Sequence, residues 1–166
     1  MSPYGECGIS VGYMSITVKK ITEAETAKRK VTGLYKFGSY WRSSYGLDSG
    51  LERFEVVNDS GQQVALFDID FTHDRLYWQD DWDVLPPEGP VVFEIKYLDV
   101  REGYRNQGIG REVVNWLLGE YADCQIVVFS GAADYFWDSL GWNRFDIDPV
   151  HWPMYISPLN GESNSA

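Results

Sequence analysis

The sequence predicts an α/β domain built around a mixed sheet. Strand-like runs of alternating or continuous apolar residues recur along the chain, and helix-period patterns separate them. Their order is strand, helix, three strands, helix, strand, helix and two strands. The length of 166 residues fits one domain with one sizeable core. We expect this domain to span 1–157 and the small polar tail, 158–166, to be disordered.

The first predicted strand and helix lie next to each other. Residues 14–21 read MSITVKKI, in which apolar residues alternate with polar ones. Thr22 is followed three residues later by Glu25, which is the pattern of a capping box. In this motif each side chain bonds the backbone N–H of the other residue. We therefore expect a helix that starts at Thr22 and runs to about Tyr35.

Three further strands are predicted in the middle of the chain. The runs 52–58 and 63–71 are rich in apolar and β-branched residues. The Asp-Ser-Gly sequence at 59–61 is typical of a hairpin turn between them. The run 91–99, VVFEIKYLD, is the third of these strands, and it leads into a glycine-rich segment.

The last third of the chain alternates helices with strands. Apolar residues at helical spacing are Ile109, Val113, Trp116, Leu117 and Tyr121. The short apolar run 125–129 predicts a buried strand. A second helix is expected over 132–140, ended by Gly141, and the final strands over 142–148 and 150–157.

The charge of the chain narrows the classes of function. The formal net charge is −11 and the isoelectric point is about 4.5. Binding of nucleic acid through its phosphates is therefore excluded, because it needs a basic surface. An acidic surface either attracts cationic molecules such as amines, Lys side chains or basic peptides, or serves only to keep the protein soluble.

Neither a metal site nor a membrane segment is expected. The only cysteines and histidines are Cys7, Cys124, His73 and His151, and they lack metal-binding spacing. No apolar run reaches the length of a membrane span, and the N-terminus lacks a basic-then-apolar signal pattern. The resulting expectation is a cytoplasmic protein with no membrane partner.

The segment that says most about function is YRNQGIGR, Tyr104 to Arg111, between a predicted strand and a predicted helix. Glycines let backbone N–H groups converge on an anion, and a helix N-terminus adds further N–H groups and a positive dipole end. Such a turn favours a phosphate or pyrophosphate. The segment does not match a P-loop, which needs Gly-Lys-Ser/Thr at its end. It is also a weak match to a dinucleotide fingerprint, which needs glycine where Val113 stands.

The pattern Arg/Gln-x-x-Gly-x-Gly/Ala is met by Arg105, Gly108 and Gly110. It resembles motif A of the GNAT (Gcn5-related N-acetyltransferase) superfamily. The segment 132–142, AADYFWDSLGW, is similar to motif B of that family, and the similarity covers roughly 91–157. The resemblance implies the GNAT fold, a central mixed and mostly antiparallel sheet flanked by helices. It also implies acetyl-CoA as acyl donor and no metal.

The resemblance assigns roles to the residues of motif A. Main-chain groups of Leu98, Asp99 and Val100 would pair with the pantetheine arm and polarise the thioester carbonyl. The residues implied in binding the coenzyme A pyrophosphate are Arg105, Asn106, Gln107, Gly108, Ile109, Gly110 and Arg111.

Two catalytic roles are implied as well. Glu94 matches the glutamate of the histone acetyltransferase branch, which makes it the expected general base. The usual tyrosine of motif B falls at Trp137, which cannot donate a proton as a phenol does. Trp137 is therefore expected to form a wall of the cofactor pocket. Tyr135 is the alternative proton donor to the leaving thiolate, although it lies on another helix face.

The resemblance implies an acetyl-CoA-dependent N-acetyltransferase that acts by direct transfer to an amine. The acceptor classes are a cationic small molecule, a peptide, or a protein lysine or N-terminus. The acidic, aromatic stretch 68–88 is typical of an acceptor-binding lip or of a solvated loop. The alternative function is a catalytically weak or inactive GNAT-fold module that binds a basic protein partner. Both a monomer and a homodimer are compatible with the sequence.

Overall fold

The computed structural model of the chain describes residues 8–11, 14–32, 51–71 and 91–159. These residues form strands, α-helices and one 3-10 turn, Glu102–Tyr104. In chain order the helices and strands are β1 Gly8–Val11, β2 Met14–Ile21, α1 Glu23–Thr32, β3 Leu51–Asn58, β4 Gln63–Asp70, β5 Val91–Val100, α2 Ile109–Glu120, β6 Cys124–Phe129, α3 Asp134–Asp138, β7 Asn143–Phe145 and β8 Met154–Ile156.

The strands are hydrogen-bonded into one sheet in the order β1-β2-β3-β4-β5-β6-β8-β7. The pairs β1–β2, β2–β3, β6–β8 and β7–β8 are antiparallel. The pair β5–β6 is parallel, as expected when a helix connects two neighbouring strands. The predicted fold class, a mixed and mostly antiparallel sheet with flanking helices, is thus confirmed.

The described residues group into two compact units. The first takes its residues from 1–69 and 97–116, and the second from 70–96 and 117–166. Strand β5 contributes to both, since it belongs to the second unit up to Lys96 and to the first unit from Tyr97 onward. The expectation of a single domain over 1–157 stays a prediction.

The first unit has an aromatic core on one face of β3 and β4. The rings of Phe54 and Phe67 stack with centroids 4.7 Å apart, and the ring of Trp116 from α2 meets Phe54 edge-on at 5.6 Å. Phe67 is fully buried. Because paired aromatic rings exclude water over a large area, this cluster fixes α2 against the strands of its unit.

The second unit has its own core. Val92, Val127, Met154 and Ile156 form one buried cluster, which joins β5, β6 and β8. The ring of Phe93 is fully buried as well and meets that of Tyr121 edge-on at 5.2 Å. This packing explains the apolar run of β6, which is covered on both faces.

The predicted capping box is confirmed. The backbone N–H of Thr22 donates to the Glu25 carboxylate at 2.8 Å, and the Glu25 N–H donates to the Thr22 hydroxyl at 3.2 Å. The helix it opens is described as far as Thr32, so the expected extension to Tyr35 lies outside the described residues.

The predicted hairpin is confirmed too. Gly61 has a φ of 73°, and its N–H donates to the carbonyl of Asn58 at 2.8 Å. The Asn58 side chain accepts from the N–H groups of Ser60 and Gln62, which closes the turn.

The elements after Gly131 are shorter than predicted. The helix expected over 132–140 covers Asp134–Asp138, and the strand expected over 142–148 covers Asn143–Phe145. The second strand of the pair is Met154–Ile156 instead of 150–157. The Asp148 carboxylate explains part of the difference, because it accepts the N–H of Val150 and turns the chain between the two strands. None of the helices formed by the described residues is long and apolar enough to span a membrane.

Candidate functional site

The candidate site begins where β5 ends beside β4. The Arg101 N–H donates to the Val64 carbonyl at 2.9 Å, near the start of β4. At the other end of β4, Asp70 lies 3.8 Å from the ammonium group of Lys96, in the middle of β5. The two strands therefore run in opposite directions, and β5 delivers the chain to the glycine-rich segment at the hairpin end of β4.

A 3-10 turn ties this segment to the hairpin. The Tyr104 N–H donates to the Arg101 carbonyl at 2.8 Å, which closes the turn. The Tyr104 hydroxyl donates to the Gln62 side chain, also at 2.8 Å. Both bonds lie within the first unit, so the loop that follows starts from a fixed point.

The backbone of the loop alternates in handedness. Asn106 has a φ of 61° and Gly108 a φ of 84°, whereas Gln107 between them has a negative φ. Alternation of this kind turns successive N–H groups toward one side and forms an anion-binding concavity. Asn is tolerated in the left-handed conformation, and glycine is favoured there because it has no Cβ.

Helix α2 follows at once and adds the donors of its first turn. The first N–H of the helix to bond back into the loop is that of Glu112, which donates to the Gly108 carbonyl at 3.1 Å. Ile109 is 2% exposed and anchors the start of the helix in the core. None of the backbone bonds made by the described residues uses the N–H groups of Gln107, Gly108, Ile109 or Gly110. These donors suit a phosphate or pyrophosphate.

Arg105 supports the loop from within. Its Nε donates to the Val100 carbonyl at 2.8 Å, and its guanidinium also contacts the Asp99 carboxylate at 3.2 Å. The Gln107 side chain donates to the Gly103 carbonyl at 3.2 Å. In this structure both side chains hold loop geometry, which leaves the backbone N–H groups as the main donors for an anion.

Strand β5 is longer than its parallel pairing with β6. Its parallel pairing with β6 runs from Val91 with Cys124 to Glu94 with Val127, and among the described residues it stops there. Both strands nevertheless continue, β5 as far as Val100. The pantetheine prediction for Leu98, Asp99 and Val100 requires the main chain of this part of β5 to pair with an extended ligand, and it stays a prediction.

Glu94 lies in the second unit as a buried, ion-paired carboxylate. It is 7% exposed, and its Oε2 lies 2.8 Å from the ammonium group of Lys96. The sequence suggested a carboxylate among apolar neighbours. The sequence could not identify Lys96 as the partner of Glu94, because the alternation of residues along a strand shows which side chains share a face but not which of them are in contact.

Trp137 and Tyr135 lie on different faces of α3. Trp137 is 5% exposed, and its ring packs against those of Trp142 at 5.5 Å and Tyr155 at 6.5 Å. It therefore belongs to the core of the second unit, and its role as a pocket wall stays a prediction. Tyr135 is 76% exposed, and its role as a proton donor likewise stays a prediction.

Tyr155 is a buried phenol that the sequence reasoning missed. Its hydroxyl donates to the Asp138 carboxylate at 2.9 Å and accepts from Arg144 at 2.9 Å. Burial, together with the bond to Asp138, raises the pKa of Tyr155 well above its usual range. The partners are 17 and 11 residues away in sequence, so no local pattern could reveal this network.

The predicted site residues fall into two groups. The segment from Leu98 to Arg111 forms one continuous strand, loop and helix start within the first unit. Glu94, Tyr135 and Trp137 belong to the second unit. Of the acidic stretch 68–88, Asp68 and Asp70 lie in β4, and the part from 72 onward, with His73, falls outside the described residues.

The His151 ring lies beside a carboxylate. The His151 ring contacts the Asp148 carboxylate at 2.9 Å, in the connection between β7 and β8. Among the residues that the structure describes, no three His, Cys, Asp or Glu side chains are grouped as ligands for a metal ion.

No protein-family model matches the sequence, and no curated protein matches it. Solved structures do match. NAA60 of Arabidopsis thaliana, in complex with acetyl-CoA, has a TM-score of 0.57 at 12% identity, over 85% of this chain and 96% of that one.

Two bacterial structures agree with this match. The ribosomal-protein-S18-alanine N-acetyltransferase of Escherichia coli has a TM-score of 0.55 at 12% identity, over 91% of this chain and 98% of that one. A Corynebacterium glutamicum structure described as histone acetyltransferase HPA2 and related acetyltransferase has a TM-score of 0.57 at 15% identity, over 87% and 96%. The chain therefore has the fold of the GNAT acetyltransferases.

Proposed function

We propose that this protein is an acetyl-CoA-dependent N-acetyltransferase that transfers the acetyl group directly to an amine. The observation that carries the proposal is the loop from Asn106 to Gly110, whose alternating backbone leads into the N-terminus of α2. A merely structural turn has no need of converging N–H groups. The likeness to GNAT structures, one of them in complex with acetyl-CoA, supports the same conclusion.

In this proposal the cofactor follows the end of β5. The N–H groups of Gln107, Gly108, Ile109 and Gly110 hold the pyrophosphate, with Arg105 keeping the loop in shape. The pantetheine arm pairs with the main chain of Leu98, Asp99 and Val100 as an added strand would. The main chain there polarises the thioester carbonyl, which stabilises the oxyanion that forms on attack.

The chemistry is a nucleophilic substitution at the thioester carbon. The amine nitrogen forms a bond to that carbon, the carbon–sulfur bond breaks, and coenzyme A leaves as a thiolate that takes up a proton. Glu94, as the proposed base, accepts the N–H proton of the attacking amine, directly or through water. Cys124 is no candidate for an acyl carrier, because burial and the nearby Asp123 raise the pKa of its thiol and keep it protonated.

The acceptor is proposed to be a cationic amine, on a small molecule, a peptide or a protein. The formal net charge of −11 supports this class, since an acidic surface concentrates cations near it.

One observation favours a second candidate function, a GNAT-fold binding module without turnover. Trp137 stands where the usual phenol is expected and is buried in the core, and the nearest alternative, Tyr135, faces solvent. Such a module would bind a basic partner through its acidic surface.

The experiment that tests the proposal is acetyl-CoA titration by calorimetry, followed by thiol release in the same sample with a panel of amines. Binding followed by thiol release is the expected result. Binding without release for any amine would favour the module, and absence of binding would refute the assignment of the loop.

A further inference from the structure

A buried carboxylate on β4 has no role in the mechanism above. Asp68 is 3% exposed, and its Oδ2 lies 3.4 Å from the Nε of Arg53 on β3. Its other oxygen, Oδ1, is buried and accepts no hydrogen bond. Buried polar atoms without a partner are rare in folded proteins, and each calls for an explanation such as a bound water or a functional role.

The surroundings of Asp68 do not compensate its charge. Burial raises the pKa of Asp68 to about 7, against the opposing effect of Arg53. The other acidic groups of β3, β4 and β5 have basic partners, namely Glu52 with Lys20, Glu55 with Arg29, Asp70 and Glu94 with Lys96, and Asp99 with Arg105. Arg53 is therefore the one charged group that acts strongly on Asp68 among the described residues.

Asp68 lies beside the part of β5 that is proposed to hold the thioester. The Arg101 N–H bonds to the carbonyl of Val64, and the two strands are antiparallel. Asp68 lies four residues further along β4 and Tyr97 four residues back along β5, so we place Asp68 across from the part of β5 around Tyr97 and Leu98. All of these residues belong to the first unit.

The proposed reaction leaves one proton unaccounted for. An alkyl amine is protonated near neutral pH and cannot attack a thioester until it has lost a proton. This is a different proton from the one that Glu94 is proposed to take during the attack. A group near the thioester that can change its protonation state near neutral pH is needed for the first of these two steps.

We propose that Asp68 accepts this first proton, from the ammonium form of the acceptor to Oδ1 through a bound water, and that the enzyme thereby acts on cationic alkyl amines. The inference rests on the proposed acetyltransferase function. The nitrogen–hydrogen bond of the ammonium group breaks, the neutral amine keeps the electron pair, and the carboxylate becomes a carboxylic acid. Asp68 then returns the proton to solvent before the next turnover.

The test compares two acceptors in the wild-type protein and in Asp68→Asn. One is an alkyl amine, protonated at pH 7, and the other is an aromatic amine or hydrazine that is already neutral at pH 7. For the alkyl amine we expect kcat/KM to fall by about 100-fold in the variant. For the neutral amine we expect a change of less than about threefold, since no ammonium proton has to leave. Affinity for acetyl-CoA stays unchanged.

Other results would overturn the inference. An equal loss with both amines would show that Asp68 is structural, and no loss with either would show that it takes no part. Should Asp68→Asn fail to fold, the same two acceptors are compared in Asp68→Glu, and the wild-type carboxyl is titrated by carbon-13 NMR. A carboxyl that titrates near pH 4 would overturn the inference. Failure of the proposed function itself is distinguishable, since the wild-type protein would then release no thiol with any amine.

Discussion

The guanidinium group of Arg105 reaches back along the chain, where its Nε donates to the Val100 carbonyl at 2.8 Å. This bond joins the first residue after the 3-10 turn to the last residue of β5 and so closes the loop from its base. The arginine that the motif pattern marks as a phosphate ligand thus acts first on the backbone that presents the N–H groups. We therefore expect affinity for acetyl-CoA to depend on Arg105 through loop geometry.

Replacing Arg105 by alanine is expected to weaken acetyl-CoA binding moderately. The variant loses the bond to Val100 and the contact with Asp99, which in this exposed setting contribute about 1 kcal/mol, or roughly fivefold in Kd. Calorimetry measures this change. Lys28→Ala is the control, because it removes the same charge from the exposed face of α1. Equal affinities for the two variants would show that the guanidinium does not support the site.

Gly108→Ala is expected to abolish most of the affinity for acetyl-CoA. A side chain at a φ of 84° costs roughly 1–2 kcal/mol, and we expect the strain to be relieved by moving the N–H groups that are proposed to bind the pyrophosphate. We expect Kd to rise by about tenfold or more.

Gly61→Ala provides a matched control for this change. Gly61 has a φ of 73°, and a Cβ there would meet nothing within 4 Å, so the variant carries similar strain in the hairpin turn. Both variants should lose similar stability in urea, while only Gly108→Ala loses cofactor affinity. Parallel losses of affinity would mean that the effect is one of stability alone.

The parts of the structure that could be predicted from sequence are those held by local contacts. The capping box of Thr22 and Glu25 and the hairpin at Gly61 depend on residues three or four apart, so their patterns are visible in the chain. The glycine-rich loop belongs to the same class, since its backbone conformation depends on its own residues. The fold class follows from the order of these elements.

The parts that could not be predicted depend on contacts between distant strands. Arg53 and Asp68 meet across β3 and β4, and Tyr155 meets Asp138 across 17 residues. Asp68 stood in the sequence as one of many acidic residues between 68 and 88. Only the pairing of strands separates it from the others, because burial is set by what covers a residue and not by its neighbours in sequence.

Thr22→Ala is expected to destabilise the protein by about 1 kcal/mol, because the first turn of α1 loses its cap. The bonds from Thr22 also hold the pKa of Glu25 below its usual value, so the stabilisation is present at neutral pH and is lost as the pH falls toward the acid range. Urea unfolding at pH 7 and at pH 3 measures both effects. Glu23→Gln is the control in the same turn. If Glu23→Gln lost as much stability as Thr22→Ala, the effect would come from general helix electrostatics and not from the cap.

Glu94→Gln is expected to lower kcat/KM for protonated and neutral amines alike, by about 100-fold or more, because the attack step is common to both. The substitution also breaks the ion pair of Glu94 with Lys96 at 2.8 Å, so a control for the loss of an ion pair is needed. Glu52→Gln serves as the control, because Glu52 on β3 forms an ion pair of the same distance, 2.8 Å, with Lys20 on β2. Equal activities of the two variants, with an unchanged pH–rate profile, would exclude Glu94 as the base.

The buried carboxyl of Asp68 is expected to make stability depend on pH in an unusual direction. Its pKa is about 7 in the folded protein and about 3.8 in the unfolded chain, so between these values the folded state binds more protons than the unfolded state. The free energy of unfolding of the wild-type protein should therefore fall as the pH rises from 4 to 7. Asp68→Asn lacks this contribution, and its stability relative to wild type should grow by up to about 4 kcal/mol over the same range. Urea unfolding of both proteins at pH 4 and pH 7 measures the difference, and parallel pH profiles would mean that Asp68 titrates as an ordinary carboxyl that its pairing with Arg53 keeps ionised.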